Sequence, residues 1–344
     1  MIRSRMNQTV NRKQDVAKNA DYAKPSLRTF GTTLMKENAA EPTLISKQSA
    51  GEVVKEIPRA VTDKEVKCLE YFKDICAYLL HHEQKFKLTE DYLVGGEPTN
   101  KMRRMLVDWL VQVHLRFRLV PETLHLTVFI LDQMLAHKIV GKENLQLLGV
   151  SAMFIAAKFE EVFTPDISDY EFITENSVSK KQILQMEQMI LNTLNFDLSA
   201  PYSLSFNRFI SRLITENESL NVDQSSYYLA YNMSKYFAEL ALLDSSIVTI
   251  TPSRIAMAST VISLKLCGFS KEIDEQVTRE IIKGFQTTHD ELEYCVKLVS
   301  SIALKQFSQT KMVAVKQKYQ SSKFGQVSNM IKAEEIEKLK ELSA

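Results

Sequence analysis

The chain has 344 residues, 45% of them hydrophobic and 25% charged, which is material for about two globular domains at the usual ~150 residues each. Its 43 basic and 42 acidic residues leave a formal net charge of +1, so it lacks the overall basic field that sequence-independent nucleic-acid binding needs. The four cysteines, Cys68, Cys76, Cys267 and Cys295, form neither CxxC pairs nor the dense spacing of a secreted disulfide scaffold, and no uninterrupted apolar run is long enough to cross a bilayer. With no apolar signal-peptide core in residues 1–20, the expectation is a soluble chain of the cytoplasm and nucleus, with reduced thiols and no membrane or nucleic-acid partner.

Residues 1–62 are polar, lack apolar periodicity and lean basic (Arg3, Arg5, Arg12, Lys13, Lys18, Lys24, Arg28), a composition that predicts a disordered tail. Folding is expected to begin near Asp63, with a helix and linker over 63–100; Gly95 and Gly96 lie in that linker before Pro98. Helical spacing then runs from Met102 to Arg118 and from Glu122 to Lys138, broken at Val120 and Pro121. Ser179 with Gln182 is a capping box that opens a helix through Leu194, because hydroxyl and amide satisfy each other's orphan backbone donors. Thr251 before Pro252 places an N-cap ahead of a proline at the first helical position, and Thr288 with Glu291 opens a helix to about Phe307. No strand-like alternation is long enough to build a sheet, so the fold class is all-α.

The run from Gly149 to Lys158, shifted by 107 positions, falls on the run from Ala256 to Lys265. Gly149, Ala152 and Ala156 meet Ala256, Ser259 and Ser263, a small-residue face that lets neighbouring helices approach a central one. This pattern predicts two five-helix bundles, 101–198 and 199–318, and a C-terminal tail over 319–344. A single irregular bundle with chance similarity is the plainer alternative. For catalysis the parts are missing: the sequence holds no GxGxxG or GxxxxGKS phosphate cradle, no HExxH and no GxSxG. His81-His82-Glu83 is the nearest approach to a metal cluster, but adjacent side chains point to different helix faces, so a solvated pair is expected and no cofactor or metal.

Met102-Arg-Arg-Met-Leu-Val-Asp-Trp-Leu-Val-Gln112 closely resembles the MRAIL helix that opens the cyclin box. Leu124-His-Leu126, Leu145-Gln-Leu147, Lys158-Phe-Glu-Glu161, Lys180-Lys-Gln182, Met186-Glu187 and Leu194-Asn-Phe-Asp-Leu198 sit where cyclins carry similar runs. Gln112-Val113, Phe117-Arg-Leu119, Leu242-Leu-Asp244, Val315-Lys-Gln-Lys-Tyr319 and Ser321-Ser-Lys323 are more similar to B-type than to A-type cyclins. The resemblance covers about Cys68 to Ser328. It implies tandem cyclin boxes that bind and activate a mitotic cyclin-dependent serine/threonine kinase, control entry into mitosis, and do no chemistry themselves.

By that resemblance, Lys158 and Glu187 are a charged pair at the kinase interface, with Phe159, Leu191, Phe196 and Leu198 as apolar contacts beside it. Spacing alone assigns the charges to solvent and the apolar four to the core. Tyr71, Ile75 and Tyr78 share one helix face and match the N-terminal helix that cyclins lay against the kinase; packing on their own domain would explain the stripe equally. Met102, Met105, Leu106, Trp109, Gln112, Leu145 and Gln146 match a docking patch for substrates and inhibitors bearing short basic, leucine-containing motifs. Gln112 stands where the family often has an acid, and Arg104-Met105 replaces Ala-Ile, departures that weaken attraction for a basic motif and reshape the groove. Core packing is the plainer reading of these residues.

Lys36-Glu37-Asn38 matches the KEN signal read by the anaphase-promoting complex, whereas Arg28-Thr-Phe-Gly31 has glycine where a destruction box needs leucine. Ubiquitin-dependent destruction is therefore expected to lean on the KEN sequence, with a mere spacer as the alternative. Arg208 and Lys235 sit where B-type cyclins gather a phosphate-binding pocket, with Tyr231 in place of a histidine; scattered surface bases are the plainer reading. Two rivals remain: a tandem cyclin-fold transcription factor, which usually carries a zinc ribbon and basic helices not found here, and a helical scaffold that activates no kinase.

Overall fold

The computed structural model describes residues 69–88, 92–93, 98–217, 220 and 222–344, and among these all regular structure is helical. Helix α1 (Leu69–Glu83) precedes a first bundle of α2 (Asn100–Phe117), α3 (Pro121–Ala136), α4 (Leu145–Glu160), α5 (Ile167–Ile173) and α6 (Lys180–Thr193). A second bundle follows with α7 (Ser203–Thr215), α8 (Gln224–Ala241), α9 (Pro252–Leu266), α10 (Lys271–Phe285) and α11 (His289–Phe307), then the C-terminal α12 (Ala314–Lys318) and α13 (Ala333–Ser343).

The repeat is visible as two central helices: α4 starts at Leu145 and α9 at Pro252, the same offset of 107 as the sequence match. Each is buried nearly all round, α4 packing on α2, α3, α5 and α6, and α9 on α7, α8, α10 and α11. The small residues do what their size permits. Ala152, Ala156, Ala256, Ser259 and Ser263 are fully buried, and a Cβ added at Gly149 would stand 2.9 Å from Leu106 Cδ1 on α2.

The capping boxes at Ser179 and Thr288 are formed as their sequences predict. Thr251 makes no side-chain cap, contrary to expectation. Its hydroxyl lies 3.1 Å from Ser253 Oγ, and the N-terminus of α9 is instead closed by Glu83 of α1, whose carboxylate accepts Ser253 N at 3.0 Å and Ser253 Oγ at 2.6 Å. His81-His82-Glu83 is therefore not a simply solvated run: Glu83 is buried and His82 bonds Ser199 Oγ at 2.9 Å.

Residues 319–344, expected as a tail, fold back onto the second bundle. Helix α13 packs on α9 and α11, and Tyr319, Val327 and Leu339 join the core, while α12, just before this segment, packs on α2 of the first bundle and α8 of the second. At this seam the buried Lys318 ammonium bonds both Glu239 oxygens, at 2.7 and 2.8 Å, and Tyr319 OH donates to the same carboxylate at 2.8 Å. Arg103 is a second internal fastener: it grips Asp132 of α3 through two 2.7 Å bonds and donates to Leu242 O beyond α8 at 2.8 Å. The described cysteines Cys76, Cys267 and Cys295 are free thiols, pushed up to about 12, 11 and 11 by burial. The expected disordered tail over 1–62, together with Cys68, lies outside the described residues.

Candidate functional site

Lys158 lies in the last turn of α4 and Glu187 mid-way along α6; because those helices pack together, the two side chains meet as an ion pair. The Lys158 ammonium also sits 4.2 Å from the Phe154 ring centroid, so the lysine is held by charge on one side and a π face on another. Beside the pair, Phe159 is exposed and Leu191, one turn beyond Glu187, is half-buried. Past the end of α6, Asn195 and Phe196 both adopt positive φ, 52° and 59°, a conformation costly for an aromatic residue, while Phe196 N bonds Leu191 O at 2.9 Å. That turn holds Phe196 outward, 69% exposed. Leu198, expected on this surface, is buried, since the chain re-enters the core there.

The surface continues onto α1. Lys85 pairs with Asp197, His82 bonds Ser199, and Tyr78 stacks on the His82 ring at 5.2 Å, so the end of α1 lies directly against the turn that presents Phe196. The opposite end is fixed by Phe72 stacked on Phe209 at 4.0 Å. With that face of α1 committed to the protein, Tyr71, Ile75 and Tyr78 are left between 51% and 60% exposed. Packing on its own domain therefore does not account for this stripe. The loop after α4 adds Val162 and Phe163, 89% and 91% exposed, which spacing arguments missed. Their signal in the sequence is two apolar residues between a helix end and Pro165, where a connecting loop is normally polar.

The proposed docking patch is only partly on the surface. Leu106, Trp109 and Leu145 are buried, as the core reading had it, leaving Met102, Met105, Gln112 and Gln146 half-buried around them. Gln112 donates to Asp108 Oδ2 at 3.2 Å, and Asp108 Oδ1 accepts Ala314 N at 3.0 Å. Arg104 turns away to Asp244 Oδ2 at 2.7 Å.

Arg208 and Lys235 do come together around Tyr231: the Lys235 ammonium lies 4.5 Å from the Tyr231 centroid, and its pKa is pushed down to about 8, first by burial. Arg208 is already paired with Glu122. Lys36-Glu37-Asn38 lies outside the described residues. The same tripeptide recurs as Lys142-Glu143-Asn144, folded as a 3-10 turn at the start of α4. Among the described residues there is no cluster that could hold a metal ion, and no helix is long and apolar enough to cross a membrane.

Residues 74–199 match the family model "Cyclin, N-terminal domain" and 201–333 match "Cyclin, C-terminal domain". The chain is 54% identical over 277 residues to the G2/mitotic-specific cyclin-B1 of Caenorhabditis elegans, covering 80% of this chain and 77% of that one. It is 38% identical over 277 residues to the G2/mitotic-specific cyclin-B2 of Oryzias luzonensis, covering 80% and 68%. Among solved structures, a viral cyclin from herpesvirus saimiri shares the fold at a TM-score of 0.56 and 19% identity, over 66% of this chain and 96% of that one. The chain belongs to the cyclin family, among the G2/mitotic B-type cyclins.

Proposed function

We propose that this cyclin binds a mitotic cyclin-dependent serine/threonine kinase through the face running from Tyr71, Ile75 and Tyr78 across Phe196 to Lys158, Glu187 and Phe159, and switches it on. The observation that carries the reading is the ion pair of Lys158 and Glu187 set among exposed aromatic side chains. A charged pair fixes register while the apolar surface around it supplies affinity, which is how an interface hot spot is built. The face offers an ion pair and apolar side chains, and the sequence holds no glycine-rich phosphate cradle. The chain therefore acts as a ligand that selects the kinase conformation in which the ATP-orienting lysine meets its glutamate.

The remaining parts of the reading are substrate docking at the Met102 to Gln146 patch, destruction through Lys36-Glu37-Asn38 by the anaphase-promoting complex, control of mitotic entry, and residence in cytoplasm and nucleus. Arg208 with Lys235 is a weaker phosphate site than a free basic cluster, because Glu122 occupies the guanidinium.

The test is reconstitution with a monomeric, activation-loop-phosphorylated mitotic kinase and a Ser/Thr-Pro peptide. The wild-type chain stimulates phosphorylation; Lys158→Ala and Glu187→Ala lose most of it while changing the free chain's stability by only ~1–2 kcal/mol, as expected of a pair whose lysine is exposed and whose glutamate is largely covered. Stimulation that survives both substitutions rejects this interface.

A further inference from the structure

On α2 the residues Met102, Met105, Trp109, Gln112 and Arg116 fall within an arc of ~80° at ~100° per residue, so they form one stripe along the helix. Its first half is apolar. The second half carries a charge whose sign is opposite to the one a basic docking motif requires. Asp108 is the only acidic residue of α2, and it is buried with both oxygens occupied, by Ala314 N and by the Gln112 amide. Gln112 itself is neutral. One turn further on, Arg116 is exposed and in no ion pair among the described residues; its guanidinium lies 5.9 Å from the ring centroid of Phe172, itself an exposed side chain of α5. Glu171, next to Phe172, turns its carboxylate to the backbone N–H of Lys180 at 3.2 Å. At the other end of the stripe stands exposed Lys101.

A guanidinium beside an aromatic ring makes no hydrogen bond to it, so its N–H groups stay free, and they form the fork that receives a carboxylate. Phe172 thus lies beside Arg116 without consuming its donors. We propose that the docking patch on α2 selects short peptides in which apolar residues are flanked by a carboxylate, the apolar side chains resting on Met102, Met105 and the rim of Trp109 and the carboxylate meeting Arg116. A peptide whose flanking residue is basic meets like charge there. This selectivity rests on the docking patch being used at all, which belongs to the function proposed above.

The experiment compares three fluorescein-labelled peptides that share one leucine- and phenylalanine-containing core and differ only in flanking Glu, Gln or Arg, titrated with the full chain by anisotropy. The Glu peptide binds about three- to tenfold more tightly than the Arg peptide, the size expected of one exposed charge contact and its like-charge counterpart. The preference shrinks as salt rises, and Arg116→Glu inverts it. Equal or tighter binding of the Arg peptide, a preference unmoved by Arg116→Glu, or no binding of any peptide overturns the proposal. Stimulation of the kinase by the wild-type chain, on a substrate without a docking motif, is measured alongside. A stimulated kinase with no peptide preference rejects the docking inference alone, and an unstimulated kinase rejects the kinase reading.

Discussion

Lowering the pH from 7.5 to 5.0 should act on two imidazoles at the seam between the bundles. His114 on α2 and His125 on α3 are both buried, and both are held down to about 4, first by burial and then with the Lys318 ammonium opposing a second positive charge, while Glu239 pulls the other way. His114 Nε2 lies 3.0 Å from Val120 O, a carbonyl that can only accept, so Nε2 carries the hydrogen. Nδ1 is then the site a proton must enter, and it has no partner among the described residues. In the unfolded chain each histidine titrates near ~6.5. Between ~6.5 and about 4 the unfolded state binds more protons than the folded one, so stability falls as pH falls. At pH 5.0 each histidine forfeits about 2 kcal/mol, and the pair about 4 kcal/mol, out of a total stability on the order of 5–15 kcal/mol. Glu83 and Asp108, whose carboxyls burial pushes up, act in the opposite sense. The assay is therefore urea unfolding at both pH values, for the wild type and for a His114→Gln, His125→Gln variant. The wild type loses several kcal/mol more than the variant between the two pH values. Equal losses would refute the assignment of the acid lability to these rings.

Two further outcomes concern packing and charge. Lys318→Met strands the Glu239 carboxylate in the core and should cost about 3–5 kcal/mol in urea unfolding; adding Glu239→Gln, which removes the charge but still accepts from Tyr319, should restore at least half of that. Gly149→Ala brings a methyl within 2.9 Å of the buried Leu106, so an overpacking cost of about 1–3 kcal/mol outweighs the ~1 kcal/mol gain in helix propensity, and a rise in the urea midpoint would contradict the close α4–α2 contact.

Local chemistry in this chain could be read directly. The capping boxes at Ser179 and Thr288 and the break at Pro121 depend on residues a few positions apart, the offset of 107 between the central helices is one such local pattern met twice, and each is found. Which side of an amphipathic stripe meets solvent is a different question. Leu106, Trp109 and Leu145 carry the same pattern as a surface patch, yet all three are buried where α2 and α4 pack together, whereas Tyr71, Ile75 and Tyr78 carry a pattern equally suited to the core and stay exposed. Periodicity gives a face and not its neighbour. The partners that decide such cases are distant in sequence: Glu83 closes the helix that begins at Pro252, and Glu239 waits for Lys318. A tripeptide is weaker still, for Lys-Glu-Asn occurs at 36–38 and again in the 3-10 turn at 142–144, so its letters alone cannot mark a degradation signal.

The fastenings around the proposed kinase face also bear on how it would work. To move a partner from 1:99 to 99:1 in favour of an active state, a ligand must bind that state about 10⁴-fold more tightly, roughly 5.5 kcal/mol of differential affinity. A surface that had to order itself on binding would lose part of that difference to its own conformational entropy. Here α1 and the 3-10 turn that follows it (Gln84–Phe86) are tied to the first bundle through Phe86 against Phe129, to the connecting segment through Lys85 with Asp197 and His82 with Ser199, and to the second bundle through Phe72 with Phe209 and Glu83 with Ser253. Arg103 and Arg104 tie the start of α2 to Leu242 and Asp244 beyond α8. The helix carrying Tyr71, Ile75 and Tyr78 and the bundle carrying Lys158 and Glu187 are thus set in place before any partner arrives. If the proposed kinase face is the one used, the second bundle would contribute by holding α1 in place through Phe209 and Ser253.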